Sequence, residues 1–240
     1  MIFQRGAAPA FGGALTPATK RLIYITGGVY LLQALAPTVT SIFGLIPPAV
    51  FRFEVWRLFT YMFLHGGLWH LLLNMLVLYL FGSQLEALWG ARRFTRYYLL
   101  SGVGAGLFTL IPLEAFFHAN HIGASGAIYG LLLAFGMLFP EARVYVFLVL
   151  PMKARHLVVV LGFIALASSI SATGDGISHI AHLGGLAAGY VLLRRERLLP
   201  PGGFRFGFRR LWADLRRRQQ RRRFERFYEE ERRRRRETLH

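Results

Sequence analysis

Cysteine is absent from this chain, and acidic residues are few. Without cysteine there is no disulfide, no thiolate nucleophile and no thiolate ligand for a metal ion. The two aspartates, Asp175 and Asp214, both lie outside the long apolar runs, so a mechanism that needs two aspartates inside such runs is excluded. Residues 1–19 lack a long apolar core and therefore do not predict a cleavable signal peptide.

Apolar and basic residues are abundant instead. Hydrophobic residues make up 54% of the sequence, and 29 Lys and Arg against 12 Asp and Glu give a net charge of +17. Residues 194–240 contain 18 of the arginines and 7 of the acids. Before them, apolar runs of roughly 18 to 20 residues recur, long enough to cross a hydrocarbon layer as helices. The composition predicts an all-α polytopic membrane protein followed by a basic tail.

Six membrane spans are predicted from these runs. They lie near residues 21–36, 65–86, 94–113, 125–139, 157–171 and 179–193. Residues 38–64 are apolar and rich in aromatic side chains, but prolines and charges interrupt them, so this segment is predicted to lie at the membrane interface. A shorter apolar run at 144–156 is interrupted by Pro151 and by charges, and no span is assigned to it.

The positive charges predict the orientation of the spans. An even number of spans puts both chain ends on one side. That side also receives the loops after the second and fourth spans. Together with Lys20, Arg21 and the tail, these loops carry most of the positive charge of the chain. Because loops rich in Lys and Arg stay in the cytoplasm, both termini are predicted to be cytoplasmic, in a bacterial cell membrane. The predicted domains are a cytoplasmic segment at 1–19, a six-helix membrane domain at 20–195 and an arginine-rich cytoplasmic tail at 196–240.

Ser125 begins the fourth span, in the stretch His-Ile-Gly-Ala-Ser-Gly. The N–H groups at a helix start have no partner inside the helix and form a partly positive end, which suits a developing oxyanion. Gly123 lets the chain turn sharply into the helix, while Gly126 and Gly130 form a stripe against which another helix can pack closely. Taken alone, the stretch is equally compatible with a serine that only caps the helix.

Polar side chains within spans are costly and therefore mark candidate functional sites. Besides Ser125, the spans contain His70, Asn74, His179 and His182. With a rise of ~1.5 Å per residue, Ser125 and His70 lie ~24 Å from the cytoplasmic charges, and Asn74 and His182 lie ~18 Å from them, so these four fall in one layer. We therefore expect serine, histidine and amide groups from three spans to meet at one depth.

A second stripe of small residues, Gly185 and Gly189, begins beside His182 in the sixth span. If it crosses the glycine stripe of the fourth span closely, the His182 ring reaches Ser125. Tyr129 lies one turn below Ser125, where its ring can stack on the imidazole and fix its orientation.

Together these residues resemble the rhomboid family of intramembrane serine proteases, over roughly residues 20–195. The motifs that carry the resemblance are Gly-x-Ser-Gly at 123–126 with Tyr129, Ala-His-x-x-Gly-x-x-x-Gly at 181–189, His-x-x-x-Asn at 70–74, and Trp56-Arg57. One such motif is weak support, but four of them in order on a six-span frame are specific.

The resemblance implies that Ser125 is the nucleophile and His182 the general base. It also implies that His70, Asn74 and the Ser125 N–H hold the oxyanion. The implied substrates are the transmembrane segments of other membrane proteins, acted on within the lipid bilayer, and no cofactor or metal is implied. No acidic residue lies at the depth of Ser125, so a Ser-His dyad remains, with Tyr129 in the orienting role that an aspartate has in a triad.

Some residues allow more than one interpretation. His121 competes as the base, although its place in an outer loop predicts a solvated side chain. His179 is expected to support the base or to pack, and Glu86 to mark the inner rim of the second span in a structural role. Trp56 and Arg57 are either an interfacial anchor or, as the resemblance implies, a brace within a half-submerged loop.

Other functional classes are less compatible with the sequence. The histidine pairs 65/70, 118/121 and 179/182 have no nearby carboxylate or thiolate, so they do not predict a metal site, and the zinc-protease motif His-Glu-x-x-His is absent. A membrane binding protein on the same frame predicts loss of the serine or the histidine, and a transporter predicts a charged residue at the midplane. The tail is either a solvated basic helix or a contact for anionic lipids, and its tethering and glutamates argue against nucleic acid.

Overall fold

A computed structural model describes residues 14–111, 120–146, 149–171 and 179–195. The chain divides into two compact units, residues 1–198 and 199–240, and every described residue lies in the first. Several sequence predictions therefore fall outside the described residues. These are the tail at 196–240, most of the segment 1–19, and the loop residues His118 and Asp175.

The described residues are mostly helical. In chain order the helices are α1 Pro17–Leu35, α2 Thr38–Phe43, α3 Pro47–Phe51, α4 Arg57–Thr60, α5 Leu68–Val77, α6 Ser83–Trp89, α7 Ala91–Phe108, α8 Ser125–Leu138, α9 Ala154–Ser171 and α10 His179–Arg195. A π-helical turn at Leu78–Gly82 joins α5 to α6. Among the described residues, the resulting continuous helix Leu68–Trp89 is the one both long and apolar enough to cross a membrane; α8 and Ala154–Ser168 are shorter apolar helices.

Each of the six predicted spans falls on one of these helices, although their bounds shift by a few residues. The helix of the third span begins at Ala91 and ends at Phe108, earlier than predicted. Gly90 causes the early start, because its backbone has φ +80°, a conformation that favours glycine and here separates α6 from α7.

Glu86 of α6 holds the start of α1 and has the structural role that was predicted for it. Its carboxylate accepts hydrogen bonds from the backbone N–H groups of Ala18 and Thr19, each at 2.8 Å. It also accepts hydrogen bonds from the hydroxyls of Thr16 at 2.5 Å and Thr19 at 2.9 Å. A buried carboxylate from another helix thus satisfies N–H groups that a helix start leaves open.

Helices α7, α8 and α10 pack closely against one another and form the centre of the fold. Their large buried side chains are mostly aromatic, and two buried tyrosines of the fold use their hydroxyls. Tyr97 donates to the carbonyl of Gly130 at 2.8 Å, and Tyr61 donates to the carbonyl of Gly102 at 2.7 Å. These bonds join neighbouring elements where the apolar surroundings leave a hydroxyl few alternatives.

Arg57 braces the segment between α1 and α5. The residue is 6% exposed, and its guanidinium pairs with Glu54 and donates to the carbonyls of Ser41 at 2.8 Å and Gly44 at 2.6 Å. Trp56 is 45% exposed and donates only to the carbonyl of Ile42 at 3.3 Å. The two residues therefore have different roles: Arg57 braces the segment, whereas Trp56 lies at its surface.

A β-hairpin is an element among the described residues that the sequence analysis did not predict. Strands β1 Arg143–Val146 and β2 Leu150–Lys153 pair antiparallel, with Arg143 opposite Lys153. The sequence carries a signal for it: Ala142 and Val144 are buried while Arg143 and Tyr145 are exposed, the two-residue period of a strand. Glu141 closes the base with ion pairs to Lys153 at 2.7 Å and to Arg155 at 2.5 Å.

Candidate active site

Ser125 is the first residue of α8, and the turn before it requires glycine for two reasons. The backbone of Gly123 has φ +123°, a conformation that other residues rarely adopt. The imidazole of His70 also fills the space of a side chain there, because a Cβ on Gly123 would lie 2.8 Å from Cε1 of His70. The turn thus brings the His70 ring beside the chain two residues before the serine.

The loop that leads to Ser125 is fixed by the segment between α1 and α5. His121 and Leu45 exchange both backbone hydrogen bonds, at 2.8 and 3.0 Å. The N–H of Gly123 donates to the carbonyl of Tyr61 at 3.0 Å. The prediction of a solvated His121 is therefore wrong: this strand-like pairing buries the residue to 2% exposure.

Helices α8 and α10 cross at their glycine stripes. A Cβ on Gly185 would lie 2.8 Å from the carbonyl carbon of Gly126, and a Cβ on Gly189 would lie 2.9 Å from Cα of Gly130. Two backbones can approach this closely only where neither residue has a side chain. The crossing therefore depends on these glycines on both helices.

This crossing brings His182 to Ser125, with Nε2 of the ring 2.8 Å from the serine Oγ. The His182 side chain is 7% exposed. If the serine hydroxyl donates to Nε2, the ring proton lies on Nδ1. Within the described part of the chain, Nδ1 has no hydrogen-bond partner.

Two aromatic rings hold the imidazole in place. Tyr129 stacks on its face, with ring centroids 4.2 Å apart and an angle of 6° between the planes. His179, one turn earlier on α10, meets it edge-on at 5.8 Å and 83°. The His182 ring is therefore restricted on its face and at its edge, without a carboxylate.

Asn74 is hydrogen-bonded to His70, whose ring lies beside the loop before Ser125. It lies one turn after His70 on α5 and is 7% exposed. Its side-chain nitrogen donates to the His70 carbonyl at 2.7 Å, which uses one of two N–H groups and leaves the second for another acceptor. The sequence-predicted residues therefore fall into two groups around Ser125: His182 with its two rings, and His70 with Asn74.

Carboxylates are engaged elsewhere in the described residues. Glu54 pairs with Arg57, Glu86 caps α1, and Glu141 closes the hairpin. No group of three or more His, Cys, Asp or Glu side chains is placed to hold a metal ion within the described ranges. What the site combines is a hydroxyl, an imidazole in contact with it, and N–H groups at a helix start.

The sequence analysis missed three residues that support the site. It considered His65 only as a possible metal partner, counted Tyr61 among the aromatic side chains of the interfacial segment, and gave no role to Gln33. His65 is 2% exposed and meets both His70 and the loop before the serine. Its position at the start of a span was a usable signal, because a buried polar side chain there needs partners.

Comparison with known proteins agrees with these features. A family profile described as "Rhomboid domain" matches residues 52–195. A protein of Bacillus subtilis named "Putative rhomboid protease YdcA" is 37% identical over 145 residues, which cover 58% of this chain and 66% of that protein.

Two relatives from eukaryotes are also similar to this chain. "RHOMBOID-like protein 1" of Arabidopsis thaliana is 34% identical over 60% of this chain and 35% of its own length. "Rhomboid protein 1, mitochondrial" of Saccharomyces cerevisiae is 36% identical over 54% of this chain and 38% of its own length. The chain thus spans between about one third and two thirds of the length of these relatives.

Proposed function

The chain belongs to the rhomboid family, and on this premise we propose that it is an intramembrane serine endopeptidase. Its mostly helical fold is that of an all-α membrane protein. The observation that carries the proposal is the 2.8 Å contact between Nε2 of His182 and Oγ of Ser125. A serine hydroxyl is a weak nucleophile on its own and needs a base within hydrogen-bond reach.

In the proposed reaction, Oγ of Ser125 attacks the carbonyl carbon of the substrate peptide while its proton passes to Nε2 of His182. The carbonyl oxygen becomes an oxyanion near the start of α8. The Ser125 N–H and the side chains of His70 and Asn74 are proposed to donate hydrogen bonds to it. His182 then gives its proton to the leaving amine as the C–N bond breaks.

The resulting acyl-enzyme is hydrolysed by the reverse exchange. His182 takes a proton from water, the hydroxyl attacks the ester carbonyl, and the proton returns to Oγ as the serine leaves. Tyr129 and His179 hold the imidazole ring for both steps. In this dyad, ring stacking takes the orienting role that a carboxylate has in a triad.

The proposed topology has six spans, formed by α1, the continuous helix Leu68–Trp89, α7, α8, α9 and α10, with both termini in the cytoplasm. The short helices of residues 38–63 would then lie half-submerged at the opposite surface, and the basic tail would contact anionic lipids on the cytoplasmic side. Cysteine-scanning accessibility on the cysteine-free chain tests this orientation directly.

The proposed substrates are single-span membrane proteins that are cut within or near the outer part of their transmembrane helix. A helical peptide bond is blocked from attack, so the substrate must unwind locally before Ser125 reaches the carbonyl. Residues with low helix propensity near the cut should therefore favour cleavage.

The first test is cleavage of a transmembrane peptide by the purified protein in detergent. Ser125→Ala and His182→Ala should each lower turnover by more than about 10³-fold. Matched controls are Ser83→Ala, a buried serine away from the site, and His156→Ala, an exposed histidine, both of which should cleave as the wild type does. A wild type that cleaves no substrate and is not labelled at Ser125 by a fluorophosphonate would instead indicate a membrane binding protein.

A further inference from the structure

We infer that His65 is a positioning residue for the oxyanion side of the site and that Gln33 of α1 holds it in place. The inference rests on the proposed function. It concerns two residues outside the catalytic motifs, on α1 and in the turn before α5. Both link the reacting layer to helix α1, which itself contributes no candidate catalytic group.

His65 accepts a hydrogen bond from the residue that precedes the nucleophile helix. Ala124, the residue before Ser125, has no side chain that could accept a hydrogen bond from the helix start. The N–H of Ala124 points instead to Nε2 of His65 at 3.5 Å. An imidazole from another element thus holds the backbone of the residue directly before the nucleophile.

The same ring supports His70. The two imidazoles meet edge to face, with centroids 4.9 Å apart and planes at 65°. On its other side, the His70 ring fills the space beside Gly123. His65 therefore contacts the two parts that flank the proposed oxyanion position, the loop before Ser125 and the His70 ring.

Gln33 fixes the backbone of His65 from both directions. The N–H of His65 donates to Oε1 of Gln33 at 2.9 Å, and Nε2 of Gln33 donates to the His65 carbonyl at 3.4 Å. The same amide nitrogen donates to the hydroxyl of Thr40 at 2.9 Å. A polar side chain in an apolar helix is costly unless it is paired, and here both ends of the amide are used.

The proposed role of His65 depends on the hydrogen-bond acceptor Nε2, so it can be tested separately from the packing of the ring. Because the N–H of Ala124 donates, Nε2 of His65 must be unprotonated. His65→Phe keeps a ring of similar shape without an acceptor, whereas the side-chain amide oxygen of His65→Gln reaches as far as Nε2 and can accept the bond. The two variants therefore test the hydrogen bond and the ring separately.

The experiment measures kcat and KM for a transmembrane peptide, together with the rate of fluorophosphonate labelling of Ser125. We expect His65→Phe to lower kcat and the labelling rate on the order of 10-fold to 10²-fold, with KM little changed, because small misplacements of catalytic groups have effects of this size. His65→Gln should recover most of the loss. The thermal midpoint of each variant in detergent establishes that the compared molecules are folded.

A double variant tests the link to α1. If Gln33 acts through His65, the single variant Gln33→Leu should lower kcat. Adding the same change to His65→Phe should then lower kcat little further. Losses that multiply in the double variant would overturn the link.

Three results would overturn the role of His65: a wild-type kcat for His65→Phe, equal losses in the Phe and Gln variants, or a loss confined to KM. A wild type that is inert toward every substrate and probe refutes the proposed function itself, and this inference falls with it. The failure of one is thus distinguishable from the failure of the other.

Discussion

Replacing Gly185 with alanine perturbs the crossing of α8 and α10 at its closest point. The added Cβ would lie 2.8 Å from the carbonyl carbon of Gly126 and 3.2 Å from its Cα, with the carbonyl oxygen nearer still. An ordinary contact begins at 3.4 Å, so the carbonyl carbon alone requires the helices to separate by at least about 0.6 Å. Backbone lies on both sides of the contact, so no side chain can rotate away to relieve it.

This separation should affect both stability and activity. Overpacking of this kind lowers the free energy of unfolding by about 1–3 kcal/mol, and we expect the upper part of that range. Gly185 is one turn from His182, so the same displacement lengthens the 2.8 Å contact with Ser125 beyond the usual hydrogen-bond range. The kcat for a transmembrane peptide should then fall on the order of 10²-fold.

The assays are the unfolding midpoint in detergent and steady-state cleavage, measured on the same preparation. Gly28→Ala on α1 is the matched control, because a Cβ there meets nothing within 4 Å. It should preserve turnover, and the higher helix propensity of alanine should leave stability unchanged or slightly improved. If Gly185→Ala unfolds and cleaves as the wild type does, the described crossing of the two helices is refuted.

Three further predictions follow from single contacts. Tyr129→Phe keeps the stacked ring and should retain wild-type kcat, whereas Tyr129→Leu should lower kcat on the order of 10-fold with KM unchanged. Equal losses in both variants would implicate the hydroxyl instead of the stacked ring. Glu86→Gln should lower the free energy of unfolding in detergent by about 1–3 kcal/mol, because an amide replaces a buried carboxylate that accepts four hydrogen bonds. Turnover per folded molecule should stay unchanged, and an unaltered unfolding midpoint would contradict the capping role. The hydrogen bond from Lys153 and the charge of Arg155 hold the pKa of Glu141 below its ordinary value of 4.5, so the ion pairs stabilise the hairpin above that pH and are lost as the pH falls through the lowered pKa. Because the pairs are solvent-exposed, Glu141→Gln should lower the free energy of unfolding at neutral pH by less than about 1 kcal/mol. In acid, where the carboxyl is protonated, the substitution should have no effect. A larger loss in the unfolding midpoint at neutral pH would contradict this.

The helices and the polar layer could be predicted from the sequence because their signals are local. Apolar runs mark the six long helices, and Pro140 and Gly123 mark two of their boundaries. The glycine spacing on the fourth and sixth spans also predicted that Ser125 and His182 could meet, since small residues four apart allow close contact whatever the rest of the fold does. The alternation of buried and exposed residues at 142–145 is an equally local signal, but the apolar residues of that run obscured the strand pattern.

Long-range contacts could not be predicted in this way. The sequence suggested a solvated His121, but the pairing of that residue with Leu45 depends on how two distant segments are brought together. The same holds for Gln33 and His65, 32 residues apart, and for Glu86, which caps a helix that begins 69 residues earlier.

By itself, then, the sequence determined which stretches form the long helices, which of these helices carry the polar side chains around Ser125, and which helix faces are small enough to touch. Residue type and spacing fix these properties. Only the tertiary structure decided that His121 is buried, which side chain accepts the hydrogen bond from the Ala124 N–H, and which segment holds the loop before Ser125. Each of these depends on the relative placement of several helices, and therefore on the packing of the whole bundle rather than on any one stretch of it.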